Sequence, residues 1–279
     1  MVHGDIKMIV LDLDWTLLTW DKHVSAENRR VLQLAHDAGA YIVPASGRLL
    51  PGMPAEVLEL EFVEYVIQLN GGAARRKSDG MTLFQSSLDK QTALDILEHM
   101  FKKDCCPRLF LHNDAYVQRD RVEYILENYS MMDEVRDYIA GVPNRMEDLR
   151  GFFRDFPEEA EMINFIFNEG SVMMQSMEEL AEFPDVFVTT GFERNCDVLK
   201  AGTSKGAAAI GLGEALGIKP SEIMAFGDAE NDRSMIEMCG IGVAMDNADD
   251  RLKESADFVT LAADDDGVAY AVKEFMGID

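Results

Sequence analysis

The fold is decided by the stretch at residues 6–14, IKMIVLDLD. Its centre is a short apolar run rich in isoleucine, valine and leucine, which is typical of a buried strand. A helix is predicted next, because Ser25 stands where an N-cap belongs, Gly39 stands where a C-terminal cap belongs, and apolar residues between them recur at helical spacing. Two further strands are predicted at YIVPAS (41–46) and YVIQL (65–69). Strands that alternate with helices in this way indicate a doubly wound parallel sheet.

This alternation stops after Asn70 and returns after Gly202. The intervening sequence reads as hairpins and helices without the crossover rhythm. We therefore predict an inserted α+β domain at residues 84–191, and a first domain formed by residues 1–83 and 192–279. The predicted fold class is α/β, with a Rossmann-like doubly wound parallel sheet that carries this insertion.

Composition limits the possible partners of the chain. Its 279 residues are 47% hydrophobic and 28% charged, which suits a soluble globular protein with a sizeable core. Lys and Arg total 26 against 51 Asp and Glu, so nucleic acid or an anionic membrane would be repelled. No apolar run approaches the roughly 18 to 20 residues of a membrane span. Four cysteines without a disulfide or zinc spacing favour reduced thiols, and hence a cytoplasmic protein. The oligomeric state is left open.

Two carboxylates follow the first predicted strand. Asp12 and Asp14 are spaced so that both side chains face the same way in an extended chain, at the edge where open α/β sheets bind ligands. Mg²⁺ takes oxygen ligands from one or two carboxylates together with a phosphate. The alternative is a pair of solvated loop acids, which the position directly after a buried strand disfavours.

A second acidic group occurs in FGDAEND, at residues 226–232. Asp228 ends a predicted strand, and Asp232 lies about one helical turn further on. Both side chains can therefore point into the same site. The alternative is helix capping, for which Asp and Asn are favoured residues.

An acidic protein that binds an anion needs locally placed donors and cations. Ser46 and Gly47 follow a predicted strand, and a serine hydroxyl with adjacent N–H groups can hold phosphate oxygens. Lys205 precedes a predicted helix and supplies a point charge. Alone, such a serine is usually a helix cap and such a lysine is usually solvated.

The order of these motifs along the chain is specific. They are DLDWTL (12–17), SGR (46–48), Lys205 and GDAEND (227–232). The set resembles the four motifs of the haloacid dehalogenase-like (HAD) phosphohydrolase superfamily. LNGGA (69–73) and GVAMDNA (242–248) are similar to signatures of its Cof-type sugar-phosphatase branch. The resemblance implies a HAD core with an inserted α+β cap, and the four motifs lie in that core.

The resemblance also implies catalytic and metal-binding roles. Asp12 would be the nucleophile and a metal ligand. Asp14 would give its main-chain carbonyl to the metal and its side chain as general acid and base. Asp228 would be the third protein ligand of Mg²⁺, and Asp232 would support the waters of the metal.

Phosphate-binding roles are implied in the same way. Ser46, Gly47 and Lys205 would hold the transferring phosphoryl group, with Asn231 near the phosphate. Thr16, Arg48 and Asn70 are expected beside the site, with roles that are less defined.

One residue departs from the family pattern. Trp15 stands where the motif usually has glycine, which adopts positive φ freely, whereas a bulky residue is strained there. Either the loop has an ordinary conformation or it is strained. Trp15 is expected to line or block the pocket, or to pack beneath the cap.

These features predict a Mg²⁺-dependent phosphatase that hydrolyses a small phosphorylated metabolite, such as a sugar phosphate, through an aspartyl phosphate. A charged carboxylate can approach a phosphate only after cations neutralise the phosphoryl oxygens. Two alternatives stay open: a phosphomutase or phosphotransferase, and a HAD-fold binding protein without turnover. The motifs do not identify the alcohol that leaves.

Overall fold

The structure is a computed structural model that describes residues 5–129, 133–190 and 194–279. The chain forms two compact units. The core unit comprises Met1–Gln85 and Thr203–Asp279, and the cap unit comprises Ser86–Gly202.

Strands occur in both units. In chain order they are β1 (Met8–Asp12), β2 (Tyr41–Ala45), β3 (Tyr65–Gln68), β4 (Ala73–Arg76), β5 (Thr82–Gln85), β6 (Cys105–Leu111), β7 (Asp114–Gln118), β8 (Asn144–Met146), β9 (Met162–Phe167), β10 (Val186–Thr189), β11 (Asn195–Lys200), β12 (Ile223–Gly227), β13 (Ile241–Ala244) and β14 (Phe258–Val259).

The α-helices are likewise shared between the units. They are α1 (Ala26–Asp37), α2 (Ala55–Leu58), α3 (Lys90–Met100), α4 (Arg119–Asn128), α5 (Asp133–Ala140), α6 (Leu149–Asp155), α7 (Gly170–Leu180), α8 (Lys205–Leu216), α9 (Arg233–Met238), α10 (Asp250–Ser255) and α11 (Gly267–Met276).

The core unit contains an eight-stranded sheet in the order β14-β13-β12-β1-β2-β3-β4-β5. The first six strands are parallel, which confirms the predicted doubly wound sheet. Strands β4 and β5 extend it as an antiparallel hairpin. Only a short turn joins β3 to β4, and a parallel connection would need a crossover of a dozen residues or more. The core sheet is therefore mixed.

Strand β1 lies inside this sheet and is buried on both faces. Met8 and Val10 pack on the side of α8, whereas Ile9 and Leu11 pack on the side of α1 and α11. Because both faces of the strand are apolar, the polar residues of this segment stand at its ends. Asp12 is thus carried to the carboxyl edge of the sheet.

The cap unit contains a separate six-stranded sheet in the order β10-β11-β9-β6-β7-β8. Its pairings are antiparallel except that between β7 and β8. One face packs against α3, α6 and α7 through an apolar cluster that includes Ile163 and Phe165. This second sheet and its helices confirm the prediction that the insertion has an α+β fold.

The limits of the inserted unit differ from those expected from the sequence. The expected boundary between residues 191 and 192 lies outside the described residues. The compact unit continues to Gly202, because β11 pairs with both β9 and β10. At the other end, the unit begins at Ser86 rather than at residue 84, because β5 belongs to the core sheet through Gln85.

No helix within the described ranges of the chain is long and apolar enough to cross a membrane.

Candidate active site

The sequence-predicted residues meet at the carboxyl edge of the core sheet. Strands β1, β2 and β12 are neighbours and run parallel, so the residues that end them point to one edge. Asp12 ends β1, Ser46 follows β2 and Asp228 follows β12. Lys205 is the first residue of α8. Segments that are far apart in the sequence therefore contribute to one site.

Lys205 is the cation at the centre of this site. Its side chain is 1% exposed, and its Nζ donates hydrogen bonds to Asp12 Oδ1 and, at 2.6 Å, to Asp232 Oδ1. Burial acts to lower the pKa of Lys205, but the charges of the two carboxylates outweigh it and hold the pKa above its usual range. The lysine thus stays charged next to the predicted nucleophile.

Three carboxylates surround this single lysine. Oxygen atoms of Asp12, Asp228 and Asp232 all lie within 4.8 Å of one another. Burial, followed by the charge of Asp232, raises the pKa of Asp228 to about 6, and the same two causes hold the pKa of Asp12 above its usual range. Raised pKa values mean that the charged forms lack sufficient compensation. A divalent cation would supply the missing positive charge.

The oxygen atoms available to such a cation come mainly from two of these residues. Asp232 accepts hydrogen bonds on both oxygens, from Lys205 and from the main-chain N–H groups of Asp228 and Ala229. Asp228 uses one oxygen to accept a hydrogen bond from the buried Thr16 hydroxyl, at 3.0 Å. The second oxygens of Asp12 and Asp228 are hard donors of the type that Mg²⁺ prefers. These residues fit a metal site.

The side chain of Asp14 is held by two cations. Lys22 Nζ donates to one of its oxygens at 2.7 Å, and Arg48 Nη2 lies 2.9 Å from the other. Burial acts to raise the pKa of Asp14, but the hydrogen bond from Lys22 and the charge of Arg48 outweigh it and hold the pKa below its usual range. The proposed metal contact of Asp14 involves its main-chain carbonyl and stays a prediction.

Apart from Lys205, the predicted phosphate-binding residues lie in loops that contact one another. The main-chain N–H of Arg48 donates to Ser46 Oγ at 3.2 Å. Asn70 donates through its main-chain N–H to the Ser46 carbonyl at 3.1 Å, and a Cβ atom at Gly47 would lie 3.1 Å from the Asn70 amide. Asn231 donates from its side chain to Asn70 Oδ1 at 3.3 Å. Polar groups from three loops therefore face one another, while their roles toward phosphate stay predictions.

A tight turn explains the asparagine-glycine signature. Leu69 and Asn70 have φ angles of 54° and 53°, and Gly71 has a φ of 99°. A Cβ atom on Gly71 would lie 2.1 Å from the carbonyl oxygen of Ser204, the residue before Lys205. Glycine therefore lets the turn pack directly against the start of α8.

Substitution of Gly71 by alanine should displace Lys205. We expect Gly71→Ala to lower the free energy of unfolding by about 1–3 kcal/mol more than Gly80→Ala does, because overpacking adds to the cost of the backbone conformation. Gly80 also has positive φ, at 72°, but has open space around its Cβ position. Urea unfolding of both variants measures the difference. Equal losses of unfolding free energy in the two variants would show that the close approach to α8 does not contribute to stability.

Trp15 adopts the strained conformation rather than an ordinary one. Its φ is 62°, a conformation that costs a bulky residue about 1–3 kcal/mol. Its carbonyl accepts a hydrogen bond from the Asn247 side chain at 2.9 Å. The residue is 42% exposed, and its ring stacks on the ring of Trp20.

Sequence reasoning missed Lys22 and Trp20. Both lie in the loop after the first motif, where Thr19, Lys22 and His23 form a tight turn through main-chain hydrogen bonds. The eight-residue separation of Lys22 from Asp14 belongs to no motif. A lysine in a turn next to a catalytic loop was the only available signal.

Comparison with known proteins agrees with this fold and site. A family model described as haloacid dehalogenase-like hydrolase matches residues 9–272. The solved structure of a phosphatase of the haloalkanoate (HAD) enzyme superfamily from Bacteroides thetaiotaomicron is similar, with a TM-score of 0.77 and 29% identity over 98% of this chain and 96% of that one. The chain therefore belongs to the haloacid dehalogenase-like hydrolase family, as its motifs predicted.

Curated relatives place the chain more narrowly. The Bacillus subtilis phosphatase YwpJ is 30% identical over 97% of this chain and 100% of its own length. The 5-amino-6-(5-phospho-D-ribitylamino)uracil phosphatase YcsE of the same organism is 29% identical over 98% of this chain and 96% of its own length. The chain is accordingly a phosphatase of the Cof-type branch, and the predicted class of enzyme is confirmed.

Proposed function

We propose that this phosphatase hydrolyses small phosphorylated metabolites with Mg²⁺, through a phosphorylated Asp12. The observation that carries the proposal is the contact between Lys205 and Asp12 inside a group of three carboxylates. Asp12 is suited to attack phosphorus, Lys205 is suited to neutralise the phosphoryl oxygens, and the other carboxylates are suited to hold a cation. Asp12, Asp228 and the main-chain carbonyl of Asp14 would hold Mg²⁺, which supplies positive charge to the phosphoryl group when bound.

In the first half-reaction, one carboxylate oxygen of Asp12 attacks phosphorus, while the other would contact the metal. The Lys205 hydrogen bond orients the carboxylate, and its charge also attracts the phosphoryl oxygens. The Ser46 hydroxyl and the main-chain N–H of Gly47 would donate hydrogen bonds to the same oxygens. The product is an aspartyl phosphate and a free alcohol.

Asp14 moves the protons of both half-reactions. It donates a proton to the leaving oxygen and later takes one from the water that hydrolyses the aspartyl phosphate. The low pKa of free Asp14 suits the second step. For the first step, the negative charge of a bound phosphate would raise the Asp14 pKa, because a nearby like charge favours the neutral form.

A panel of phosphomonoesters tests this function. Purified protein should release inorganic phosphate from at least one sugar phosphate or related ester when Mg²⁺ is present, and EDTA should abolish the release. Ranking the panel by kcat/KM identifies the substrate class. Added acceptor alcohols with product analysis separate hydrolysis from phosphotransfer. Release that is insensitive to EDTA would contradict the role of a metal.

Metal binding should also stabilise the protein in a pH-dependent way. The pKa of Asp228 rises from 3.8 to about 6 on folding, so the metal-free folded state binds more protons than the unfolded state between these values. Its free energy of unfolding should therefore fall as pH rises from about 4 to about 6, and the raised pKa of Asp12 acts in the same direction. Mg²⁺ replaces the protons, so its stabilising effect should be larger at pH 7.5 than at pH 5.

Thermal unfolding with Mg²⁺ or EDTA measures this effect. At saturating Mg²⁺ we expect Tm to rise by about 4–8 °C at pH 7.5, because binding at about 100 times Kd adds about 2.7 kcal/mol. Asp228→Asn should remove most of this increase. An equal increase at both pH values would contradict the linkage to these carboxylates.

A further inference from the structure

The only two tryptophans of the chain lie together beside the site. Trp15 and Trp20 stack with ring centroids 5.6 Å apart and an interplanar angle of 23°. The two residues are 42% and 70% exposed. Such rings bury a large apolar area when they pack in a core, so this exposure leaves much of that area without a partner in the core unit.

The loop that carries these rings is held by polar contacts of its main chain. The Trp15 carbonyl accepts a hydrogen bond from the Asn247 side chain at 2.9 Å. The Trp20 main-chain N–H donates to Asp264 Oδ1 at 2.8 Å. Both tryptophans are therefore positioned without burial of their rings, and the ring surfaces stay available to a ligand.

Lys22 connects this aromatic pair to the general acid. Its Nζ lies 2.7 Å from Asp14 Oδ1 and 4.8 Å from the centroid of the Trp15 ring. A cation over an aromatic face is attracted by the ring quadrupole. The ring of Trp15 and the carboxylate of Asp14 thus both contact one ammonium group. A leaving group whose oxygen meets Asp14 therefore has these rings within reach of its other atoms.

We propose that Trp15, Trp20 and Lys22 form a leaving-group subsite on the core unit, and that it binds a planar heterocycle carried by the phosphomonoester. The proposal rests on the proposed function, because it requires the leaving oxygen to meet Asp14. Flat π-systems stack on exposed indole rings, and heterocyclic bases do so with little dependence on their identity. The ammonium group of Lys22 adds attraction for carbonyl oxygens at the edge of such a ring.

Two esters that differ only by a heterocycle test the proposal. Uridine 5′-monophosphate carries a pyrimidine on the same phosphorylated ribose that ribose 5-phosphate has alone. Trp20→Ala should lower kcat/KM for uridine 5′-monophosphate about tenfold, mainly through KM, because stacked bases lose such affinity on alanine substitution. The change for ribose 5-phosphate should stay within about twofold. Trp20→Phe should recover most of the loss, because it restores a flat ring.

A matched control exists in the same unit. Tyr270 on α11 is 43% exposed and stacks on Phe258 with centroids 6.4 Å apart. Tyr270→Ala also removes an exposed, stacked ring, so it should leave both substrates within about twofold of the wild type. Equal effects of Trp20→Ala and Tyr270→Ala would overturn the proposal.

Binding can be measured without turnover. Because the chain has no tryptophan outside this pair, its tryptophan emission reports on the subsite directly. In an Asp12→Asn variant with Mg²⁺, uridine 5′-monophosphate should change this emission at saturation, whereas ribose 5-phosphate should not.

The outcomes separate the subsite from the catalytic function. An unchanged emission, or equal losses for both esters in Trp20→Ala, would overturn the subsite even if the enzyme is an active phosphatase. Conversely, an emission change without Mg²⁺-dependent phosphate release by the wild type would support the subsite as a binding element and contradict the proposed function.

Discussion

Asp12→Asn should lower kcat for phosphate release by at least about 10³-fold, because the amide cannot attack phosphorus to form the covalent intermediate. The comparison is made under saturating Mg²⁺ with the best ester from the panel. In the wild type, rapid quenching followed by mass spectrometry should find one phosphoryl group on the peptide that contains Asp12. The variant should carry none.

Stability distinguishes this loss from unfolding. The pKa of Asp12 is raised by burial and by Asp232, so the ionised carboxylate is poorly compensated in the metal-free protein. Asparagine has nearly the same shape and no charge, so the metal-free variant should unfold at the same temperature as the wild type or at a higher one. An Asp12→Asn protein that is folded and fully active would refute the nucleophile assignment.

Lys205→Met should have the second largest effect. Removal of a preorganised charge at the phosphoryl group costs about 10²–10³-fold in kcat/KM. The variant should also lose about 3–5 kcal/mol of unfolding free energy at pH 7.5, because two carboxylates then lose their common buried cation. Steady-state kinetics and urea unfolding measure the two losses separately.

Two controls accompany Lys205→Met: a variant that keeps the charge at this position, and the same substitution at a lysine in an exposed ion pair. Lys205→Arg keeps the charge, and its stability should fall less than that of Lys205→Met. Lys253 pairs with Asp246 at 3.4 Å, and the Asp246 side chain is 67% exposed. Lys253→Met should therefore change the free energy of unfolding by less than about 1 kcal/mol. If Lys205→Met and Lys253→Met lose equal unfolding free energy, the assignment of Lys205 as the central cation of the site is wrong.

The catalytic edge was predictable because strand direction is encoded locally. Apolar runs that alternate with helical periodicity indicate parallel strands, and parallel strands deliver the residues that follow them to one edge. The placement of Asp12, Ser46 and Asp228 required no knowledge of distant contacts. The approach of Gly71 to Ser204 was different, because the glycine signature marked a turn but did not say what the turn packs against.

The end of the insertion was harder to place. Strand β11 is buried like a core strand although half of its residues are polar or charged, and its pairing with β9 and β10 assigns it to the cap sheet. Strand pairing joins residues that are distant in sequence, so periodicity within one strand does not report it.

By itself, the sequence determined the α/β class, the presence of an insertion, the family and the set of residues that meet at the sheet edge. Only the tertiary structure decided that Asp232 uses both oxygens within the protein, that Lys22 binds Asp14, and that Trp15 is strained and stacked on Trp20. The physical reason is that repeating patterns specify strands and helices. The direction of a side chain in a loop depends instead on contacts with segments that the local sequence does not contain.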